Sequence, residues 1–279
     1  MEYRLAQLPD GNHWDSLAVR WERIGPPLRP SAEDLAFVAD AVSGLVPGID
    51  QRGLRVLMLG VTPEYARYPW PPRSTLTAWE RSESMIRNVW PGSVADAEHV
   101  ARRDWLHPAG DRDDFDLVLG DAVLTQLSFP KDYAALCGNL REATRPGGRW
   151  MLRVCAGPKI PENPRRVLDD VRDGRLANIN VFKLRMGMAL CSTRGEHNVA
   201  VAEIWNAWDR ACRSNPSLRD RWSDRETATL EDYRDSGVVY SFPPLDDVLE
   251  TLRRFARVER VCVPRYEFGD RCPTLLLEP

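Results

Sequence analysis

The sequence predicts an α/β fold in which helices cover both faces of a mostly parallel β-sheet. Short apolar runs, typical of strands buried on both faces, alternate with amphipathic helical segments from residue 31 to residue 154. The alternation stops over residues 155–242, which look helical and polar, and then resumes with a helix and two strand-like runs between residues 245 and 277. Five strands before the interruption and two after it predict a seven-stranded sheet.

The composition excludes several classes of protein. A chain of 279 residues is long enough for one core with a sizeable elaboration. Its 38 Lys and Arg and 41 Asp and Glu are interleaved, which argues against a nucleic-acid partner. The six cysteines form no C-x-x-C pair and the four histidines are scattered, so we expect reduced thiols and no metal site. No apolar run approaches the ~18 residues of a membrane span, and we expect a cytoplasmic protein.

The first elements are helices. An N-terminal helix is predicted by apolar residues at helical spacing, with two tryptophans as core anchors: Trp14, Leu17, Ala18 and Trp21. Ser31 is placed to cap a second helix, because two acids follow it in the first turn, where the helix dipole favours negative charge. This helix should run to about Val46, before Pro47 and Gly48 end it.

The stretch from Arg55 to Glu80 is the centre of the predicted site. Its first strand, Val56 to Leu59, stops at Gly60, and a second β-prone run from Ser74 to Trp79 ends on Glu80. In doubly wound α/β folds, ligands bind beyond the carboxyl ends of the strands, and an acid that ends the second strand can bind ribose hydroxyls. The sequence therefore predicts a nucleoside site that contains Glu80.

The remaining core elements follow in alternation. Ser82 should cap a short helix that ends at Pro91-Gly92, and a third strand within Asp96–Arg102 leads into Asp104-Trp105. The next predicted elements are a fourth strand, a helix and a fifth strand, at Phe115–Leu119, Pro130–Arg145 and Arg149–Val154. Gly120 and Asp121 follow the fourth strand, at the edge of the sheet where ligands bind.

Residues 155–242 are predicted to be a helical insertion. Its candidate helices span about 164–173, 181–190, 198–213 and 225–235. A helix at Leu245–Phe255 and two strands, Val258–Val263 and Thr274–Leu277, then finish the sheet. We thus expect a core of residues 1–154 and 243–279, with the insertion between strands five and six as a cover over the substrate pocket.

The order of these parts resembles the class I S-adenosylmethionine-dependent methyltransferases over residues 31–154 and 243–279. The most specific pieces are the acid after strand two, Asp104-Trp105 after strand three, and LREATRPGGRWMLRV before and through strand five. The resemblance implies a Rossmann-like, seven-stranded, mostly parallel sheet that ends in a reversed hairpin. It also implies S-adenosyl-L-methionine as the cofactor.

The resemblance assigns roles to individual residues. Gly60 would lie under the methionine part of the cofactor, Glu80 would accept both ribose hydroxyls, and Asp104 would accept the adenine amino group. Gly120 and Asp121 would line the pocket near the sulfonium. Their neighbours Arg81 and Trp105 complete the expected cofactor set.

The first loop departs from the family pattern. Where the family has G-x-G-x-G, this chain has GVTPE, with Met58 in place of an acid and with Thr62 and Glu64 in place of glycines. The loss argues against a dinucleotide, which needs the glycines for its pyrophosphate. The Thr62 hydroxyl and the Glu64 carboxylate could bind the methionine end of the cofactor instead, or Thr62 and Pro63 could simply begin a helix.

The expected function is methyl transfer to an oxygen or nitrogen of a small-molecule acceptor. Such an enzyme mainly has to align its reactants, so no catalytic residue is assigned. Candidates for removing the acceptor proton are Asp121, His197 and a tyrosine such as Tyr233 or Tyr240. Arg29 could reach the cofactor carboxylate. Wall residues of the acceptor pocket are expected among the aromatics of the insertion, namely Trp205, Trp208 and Tyr240.

Two alternatives stay open. The altered loop could mark a protein that binds the cofactor for a regulatory, structural or non-methylating role, or the fold could be an empty scaffold for a partner protein. The insertion could also mediate a homodimer.

Overall fold

The computed structural model describes residues 13–46, 52–92, 95, 97–107 and 114–279. Their centre is a seven-stranded sheet in the order β3-β2-β1-β4-β5-β9-β8. Strands β1 to β5 are parallel, and β9 is antiparallel to both of its neighbours, β5 and β8. The strands are β1 (Arg55–Leu59), β2 (Thr75–Glu80), β3 (Ala97–Arg102), β4 (Phe115–Asp121), β5 (Thr144–Arg153), β8 (Arg257–Cys262) and β9 (Thr274–Glu278). The predicted fold class is confirmed.

Apolar side chains that alternate along the strands pack on two layers of helices. Val56 and Met58 of β1 belong to a core with α2 (Ala32–Leu45), α3 (Pro63–Ala66) and α4 (Glu83–Val89). Leu57 and Leu59 point to the other face and share a core with α5 (Lys131–Ala143) and α10 (Leu245–Leu252). Each face of the sheet is therefore covered, as a parallel sheet requires.

Local capping explains where the helices begin. The Ser31 side chain accepts hydrogen bonds from the backbone of Glu33 and Asp34, and the Asp34 carboxylate accepts one from the Ser31 backbone in return. Ser82 accepts a hydrogen bond from Met85 N at the start of α4. Both predicted caps are confirmed, while the predicted stop at Pro47 and Gly48 lies outside the described residues.

The boundary between α5 and β5 differs from the prediction. The helix ends at Ala143, and β5 begins at Thr144 rather than at Arg149. A shift in the pairing of β4 with β5, between Phe115 and Leu117, accommodates Pro146-Gly147-Gly148 within the strand. The sequence predicts that Pro146-Gly147-Gly148 end the helix, whereas in the structure these residues lie inside β5.

Residues 155–242 fold mainly as helices. These are α6 (Pro164–Arg172), α7 (Ile179–Arg194), α8 (Val201–Ser214) and α9 (Asp224–Glu231), accompanied by the antiparallel strands β6 (Asn198–Ala200) and β7 (Val239–Ser241). The sequence predicted helix at 198–200, where the structure has β6. A separate apolar core, centred on the rings of Phe182, Trp208 and Trp222, holds the segment together.

The segment leaves and rejoins the core at adjacent points. Gly157 N donates to Pro243 O at 2.9 Å, and Gly157 also forms a bridge with Pro244. A Cβ on Gly157 would lie only 2.3 Å from the Phe242 carbonyl oxygen, so this close approach requires glycine. The two ends of the segment are thereby fixed against each other.

The N-terminal helix α1 (His13–Val19) and the turn after it contact this segment. His13 Nδ1 donates to Asp232 O at 3.0 Å, Arg20 forms an ion pair with the Asp232 carboxylate, and Asn180 Nδ2 donates to Gly25 O at 3.2 Å. Residues 13–29 and 155–242 therefore form one cover above the sheet. Within the described ranges, no helix combines the length and the apolar character that a membrane crossing needs.

Candidate ligand-binding site

A cavity of about 850 Å³ lies between the carboxyl ends of the strands and the cover. Small-molecule sites have volumes of roughly 300–1,000 Å³. Residues at or just after the ends of four parallel strands line it, namely Gly60 after β1, Glu80 in β2, Asp104 after β3 and Asp121 in β4. This is the position that the sequence predicts for a nucleoside site.

Gly60 and Glu80 form the centre of the cavity floor. Gly60 has φ +90°, a conformation that favours glycine, and its N–H donates to Trp79 O at 2.7 Å. A Cβ at Gly60 would lie 3.7 Å from Glu80 Oε2. The absence of a side chain at Gly60 therefore leaves the Glu80 carboxylate open to the cavity.

The Glu80 carboxylate can accept further hydrogen bonds. Its Oε1 accepts the Ser82 N–H at 2.7 Å, and a carboxylate has about four acceptor sites. The side chain is 8% exposed, and burial raises the Glu80 pKa, while the Ser82 N–H and the neighbouring Arg81 oppose the rise. A ligand that donates two hydroxyls would offset the cost of burying this charge.

The altered first loop places Thr62 in the cavity and Glu64 outside its lining. Thr62 lies at the N-cap position of α3, with Pro63 at the first helical position, but its hydroxyl makes no capping hydrogen bond. Glu64 Oε1 instead accepts Arg29 Nε at 2.7 Å. Arg29 also donates to the carbonyls of Trp21 and Ile24, each at 3.2 Å. Glu64 and Arg29, both expected at the cofactor, are paired with each other through Glu64 Oε1, and Glu64 Oε2 is buried without a hydrogen-bond partner among the described residues.

Asp104 and Trp105 line the cavity, but their polar atoms have local partners. Asp104 Oδ1 accepts Leu106 N at 3.0 Å, and its Oδ2 lies 3.2 Å from His107 Nδ1. Trp105 Nε1 donates to Trp79 O at 2.7 Å, so its indole N–H is not available to a ligand. The Arg81 guanidinium lies 5.1 Å from the centre of the Trp105 ring. Asp104 keeps acceptor capacity, whereas Trp105 contributes an apolar surface.

Gly120 and Asp121 have different positions. Gly120 does not line the cavity; a Cβ there would lie 2.9 Å from both Leu152 and Val123, so packing requires its small size. Asp121 lines the cavity, its Oδ1 accepts a hydrogen bond from Arg153 Nε at 2.6 Å, and the same oxygen lies 2.6 Å from Arg153 Nη2 in the ion pair. Burial opposes the charge of Arg153, but the Asp121 carboxylate holds the Arg153 pKa above its ordinary value. Arg153 Nη1 also donates to Pro27 O at 2.8 Å, which attaches the N-terminal segment to β5.

The cover supplies aromatic rings and one amine to the cavity. Trp14 and Trp21 line it together with Tyr233 and Tyr240, so the two tryptophans expected to be core anchors border the ligand space. Burial raises the pKa of Tyr240 to about 12, and that of Tyr233 well above its ordinary value. Both phenols therefore carry their protons at neutral pH. Lys183 is the amine.

Three residues that the sequence suggested for the acceptor pocket do not line the cavity. Trp208 packs against Phe182 and Trp222 inside the cover, at ring distances of 5.3 and 5.2 Å. Trp205 lies against the Arg234 guanidinium at 4.4 Å, and His197 packs its ring on Phe129 at 5.1 Å. The expected wall role was wrong for Trp205 and Trp208, because their helix turns them toward the apolar core of the cover.

The sequence predicted no role in the cavity for Lys183 or Cys155. Cys155 follows β5, lines the cavity and is hydrogen-bonded to Cys272, which holds its pKa below the usual value although burial acts in the opposite direction. Lys183 could have been noticed because it lies in an apolar helical stretch, Ile179 to Met188, whose neighbours predict burial. In the described part of the chain, no three His, Cys, Asp or Glu side chains cluster so that they could hold a metal.

The combined site has acceptors on its floor and aromatic rings in its cover. The acceptors are carboxylates of Glu80 and Asp104 and the Thr62 hydroxyl, and they suit a ligand with hydroxyl and amino donors. The rings suit flat or cationic groups. The strand order is that of the Rossmann-like sheet expected from the resemblance to the class I S-adenosylmethionine-dependent methyltransferases.

No protein-family model matches the sequence, and no curated protein matches it. A solved structure from Rhodobacter sphaeroides, provisionally described as a Zn-dependent alcohol dehydrogenase, aligns with a TM-score of 0.51 at 14% identity, over 94% of this chain and 97% of its own. The N-methyltransferase NodS from Bradyrhizobium japonicum WM9, in complex with S-adenosyl-L-homocysteine, aligns with a TM-score of 0.45 at 12% identity, over 96% and 98%.

A third structure is the 1,6-didemethyltoxoflavin-N1-methyltransferase of Burkholderia thailandensis. It aligns with a TM-score of 0.44 at 12% identity, over 100% of this chain and 92% of its own. At these identities the similarity concerns the fold, and function has to be argued from the site.

Proposed function

We propose that this protein transfers a methyl group from S-adenosyl-L-methionine to an oxygen or nitrogen atom of a small molecule. The observation that carries the proposal is the cavity in which Gly60, Glu80 and Asp104 meet at the carboxyl ends of three neighbouring parallel strands. These residues are the ones that the family resemblance assigns to the methionine, ribose and adenine parts of the cofactor. They come together although they are far apart in the sequence.

The contacts of these residues suit this cofactor. Glu80 has acceptor sites left for a diol, because the backbone N–H groups of Ser82 and Arg81 use only part of its capacity of about four. Thr62 offers a hydroxyl that does not cap α3, and Asp104 can accept an amino group beside its own turn. When bound, S-adenosyl-L-methionine supplies a methyl group activated by the sulfonium. Carboxylates and aromatic rings favour such a cation electrostatically.

The cover fits the role of an acceptor site. Its residues Trp14, Trp21, Tyr233 and Tyr240 line the same cavity as the proposed cofactor contacts and add aromatic surface to it. A closed wall excludes water and aligns the acceptor, and alignment of this kind can lower a barrier by ~7–11 kcal/mol. We therefore propose that residues 155–242, together with α1, determine which acceptor binds.

Calorimetric titration tests the cofactor. S-adenosyl-L-methionine and S-adenosyl-L-homocysteine should both bind, and NAD⁺ should not, because the first loop lacks the glycines that a pyrophosphate needs. Absence of binding by either adenosyl compound would refute the proposal. Binding of both without methyl transfer to any acceptor would favour the alternative, a regulatory or structural role for the cofactor.

A pair of variants tests the acceptor wall. Tyr240→Leu should leave the affinity for S-adenosyl-L-homocysteine unchanged and alter the range of acceptors that are methylated. The matched control is Val239→Ala, because Val239 is the neighbouring residue and is 44% exposed. This variant should change neither the affinity for S-adenosyl-L-homocysteine nor the range of acceptors. Unchanged acceptor preference in Tyr240→Leu would contradict the assignment of the cover.

A further inference from the structure

Lys183 is a buried amine in the wall of the cavity. It lies on α7, its side chain belongs to the cavity lining, and the residue is only 1% exposed. The chain contains two other lysines, Lys131 and Lys159, and both are exposed. A lysine is rarely buried without an ionic partner, so Lys183 needs an explanation.

The hydrogen bonds of Lys183 fix its position but do not neutralise a charge. Its Nζ donates to Thr229 Oγ1 at 2.6 Å, and the Thr229 hydroxyl in turn donates to Glu226 O at 2.7 Å. Since the hydroxyl proton is used by Glu226, Thr229 can only accept from Lys183. Nζ also lies 5.3 Å from the centre of the Tyr233 ring. An uncharged amine held in this way keeps its lone pair free.

Asp232, the carboxylate that acts electrostatically on Lys183, already forms an ion pair with another cation. Asp232 favours the charged form of Lys183, but it forms its ion pair with Arg20. Among the residues that the structure describes, Lys183 itself forms no ion pair. Of the titratable or charged groups near Lys183, Asp232 is paired with Arg20, and Tyr233 lies beside Tyr240, Cys155 and His13.

This environment favours the uncharged amine. Burial lowers the Lys183 pKa to about 7, and the attraction of Asp232 offsets only part of that effect. A general base works best when its pKa is close to the operating pH. The other candidates for this role are less suitable, because the Asp121 carboxylate is bound to Arg153, His197 does not line the cavity, and the buried tyrosines keep their protons.

We propose that Lys183 is the base that takes the proton from the acceptor, and that acceptors carry an acidic hydroxyl, such as a phenol or an enol. The proposal rests on the function proposed above. The acceptor O–H bond breaks, its electron pair stays on the oxygen, and the proton passes to the lone pair of Nζ. The resulting ammonium loses its proton to water when the cover opens. A nucleophilic oxygenate is thereby formed inside the cavity.

The first test measures the protonation of Lys183 directly. With ¹³C-labelled lysine, NMR should show three side-chain signals, which Lys→Arg variants assign. Lys183 should titrate near neutral pH, and the signals of the exposed Lys131 and Lys159 serve as references in the same spectra. Cationic S-adenosyl-L-methionine should lower the Lys183 midpoint further than neutral S-adenosyl-L-homocysteine does. Two outcomes would overturn the proposal. The Lys183 signal could stay in the ammonium form through the alkaline range, or the Lys183 titration midpoint could be the same with both compounds.

The second test uses 4-nitrophenol as the probe, because its anion absorbs visible light. In the presence of S-adenosyl-L-homocysteine, the wild-type protein should produce the phenolate spectrum at a pH at which the free probe is mostly protonated. Lys183→Met should not, and Lys159→Met is the matched control that should behave as the wild type. Identical spectra for the wild type and Lys183→Met overturn the proposal.

Calorimetry separates this proposal from the proposed function. Lys183→Met should bind S-adenosyl-L-homocysteine within about twofold of the wild type, since none of the cofactor contacts changes. Failure of the wild type to bind would refute the function and leave the lysine titration as an independent result. Methyl transfer to 4-nitrophenol should fall by roughly 10²–10⁴-fold in Lys183→Met, the usual contribution of a general base. Equal transfer rates would refute the role of Lys183 alone.

Discussion

Replacement of Asp121 by Asn should destabilise the protein strongly, because it leaves a buried guanidinium without its charge partner. Arg153 is 0% exposed, and two of its nitrogens contact Asp121 Oδ1 at 2.6 Å. Asparagine keeps the size of the side chain but removes its charge. Loss of one member of a buried pair costs roughly 3–5 kcal/mol, since the other charge stays buried and unpaired.

The magnitude is large enough for thermal unfolding to measure. At about 2–4 °C per kcal/mol for domains of 150–250 residues, Asp121→Asn should lower the unfolding midpoint by roughly 6–20 °C. The double variant Asp121→Leu/Arg153→Met should recover much of the loss, because apolar replacement of a whole buried pair is often neutral. The measurement is calorimetric unfolding without any ligand, which separates stability from binding.

An exposed ion pair provides the control. Arg257 and Glu278 form an ion pair at the edge of the sheet, with side chains that are 66% and 31% exposed. Glu278→Gln should lower the midpoint far less than Asp121→Asn, since water screens both its pair with Arg257 and its contact with Arg149 at 3.2 Å. A shift for Asp121→Asn as small as that of Glu278→Gln would refute the view that Arg153 depends on Asp121 for its charge.

Three further predictions concern the cavity floor and the cover. Glu80→Gln should weaken the binding of S-adenosyl-L-homocysteine, and calorimetry can measure the loss. Each hydrogen bond to the charged carboxylate that is lost should cost about 1.5–3 kcal/mol, which corresponds to roughly a 10- to 150-fold weaker affinity. Because burial raises the Glu80 pKa, the wild-type affinity should fall as pH drops through that raised value, and a flat profile would contradict the diol contact. Asp104→Asn should reduce the preference for adenosyl over inosyl analogues in competition assays; equal preference would leave Asp104 a turn residue. Gly157→Ala should lower the stability of the protein in urea, because the added Cβ would clash with the Phe242 carbonyl oxygen. Gly138→Ala is the control: it has open space around it in a helix and should raise the stability by roughly 0.5–1 kcal/mol. Similar effects of the two substitutions would contradict the close approach at Gly157.

The sheet could be predicted because its strands are marked by local signals. The apolar run before Gly60, the acid at Glu80 and the caps at Ser31 and Ser82 each act within a few residues. The hairpin that ends the sheet was expected both from its two strand-like runs and from the resemblance, and the structure adds that β9 lies between β5 and β8.

The site was less predictable because its residues depend on long-range packing. Glu64 was expected to bind a ligand, and the sequence did not show that Arg29, 35 positions earlier, pairs with its Oε1. Trp205 and Trp208 look like wall residues in the sequence, and only the fold of the cover shows that they face away from the cavity. The environment of Lys183 is set by Thr229, which lies on α9, and by Asp232, which lies in the turn after α9. Neither residue is near Lys183 in the sequence. Periodicity indicates which face of a helix is apolar, but not which partner that face meets.

The attachment of the first helix to the end of α9 has a consequence for the rate of turnover. The Asp232 backbone and carboxylate bind His13 and Arg20, which lie 219 and 212 positions earlier in the chain. A ligand that passes between the two parts of the cover has to separate these contacts and then wait for them to reform. In enzymes with such gates, release of product is often slower than chemistry. Substitutions at Arg20 are therefore expected to change the residence time of a bound ligand and to leave the equilibrium affinity for that ligand largely unchanged.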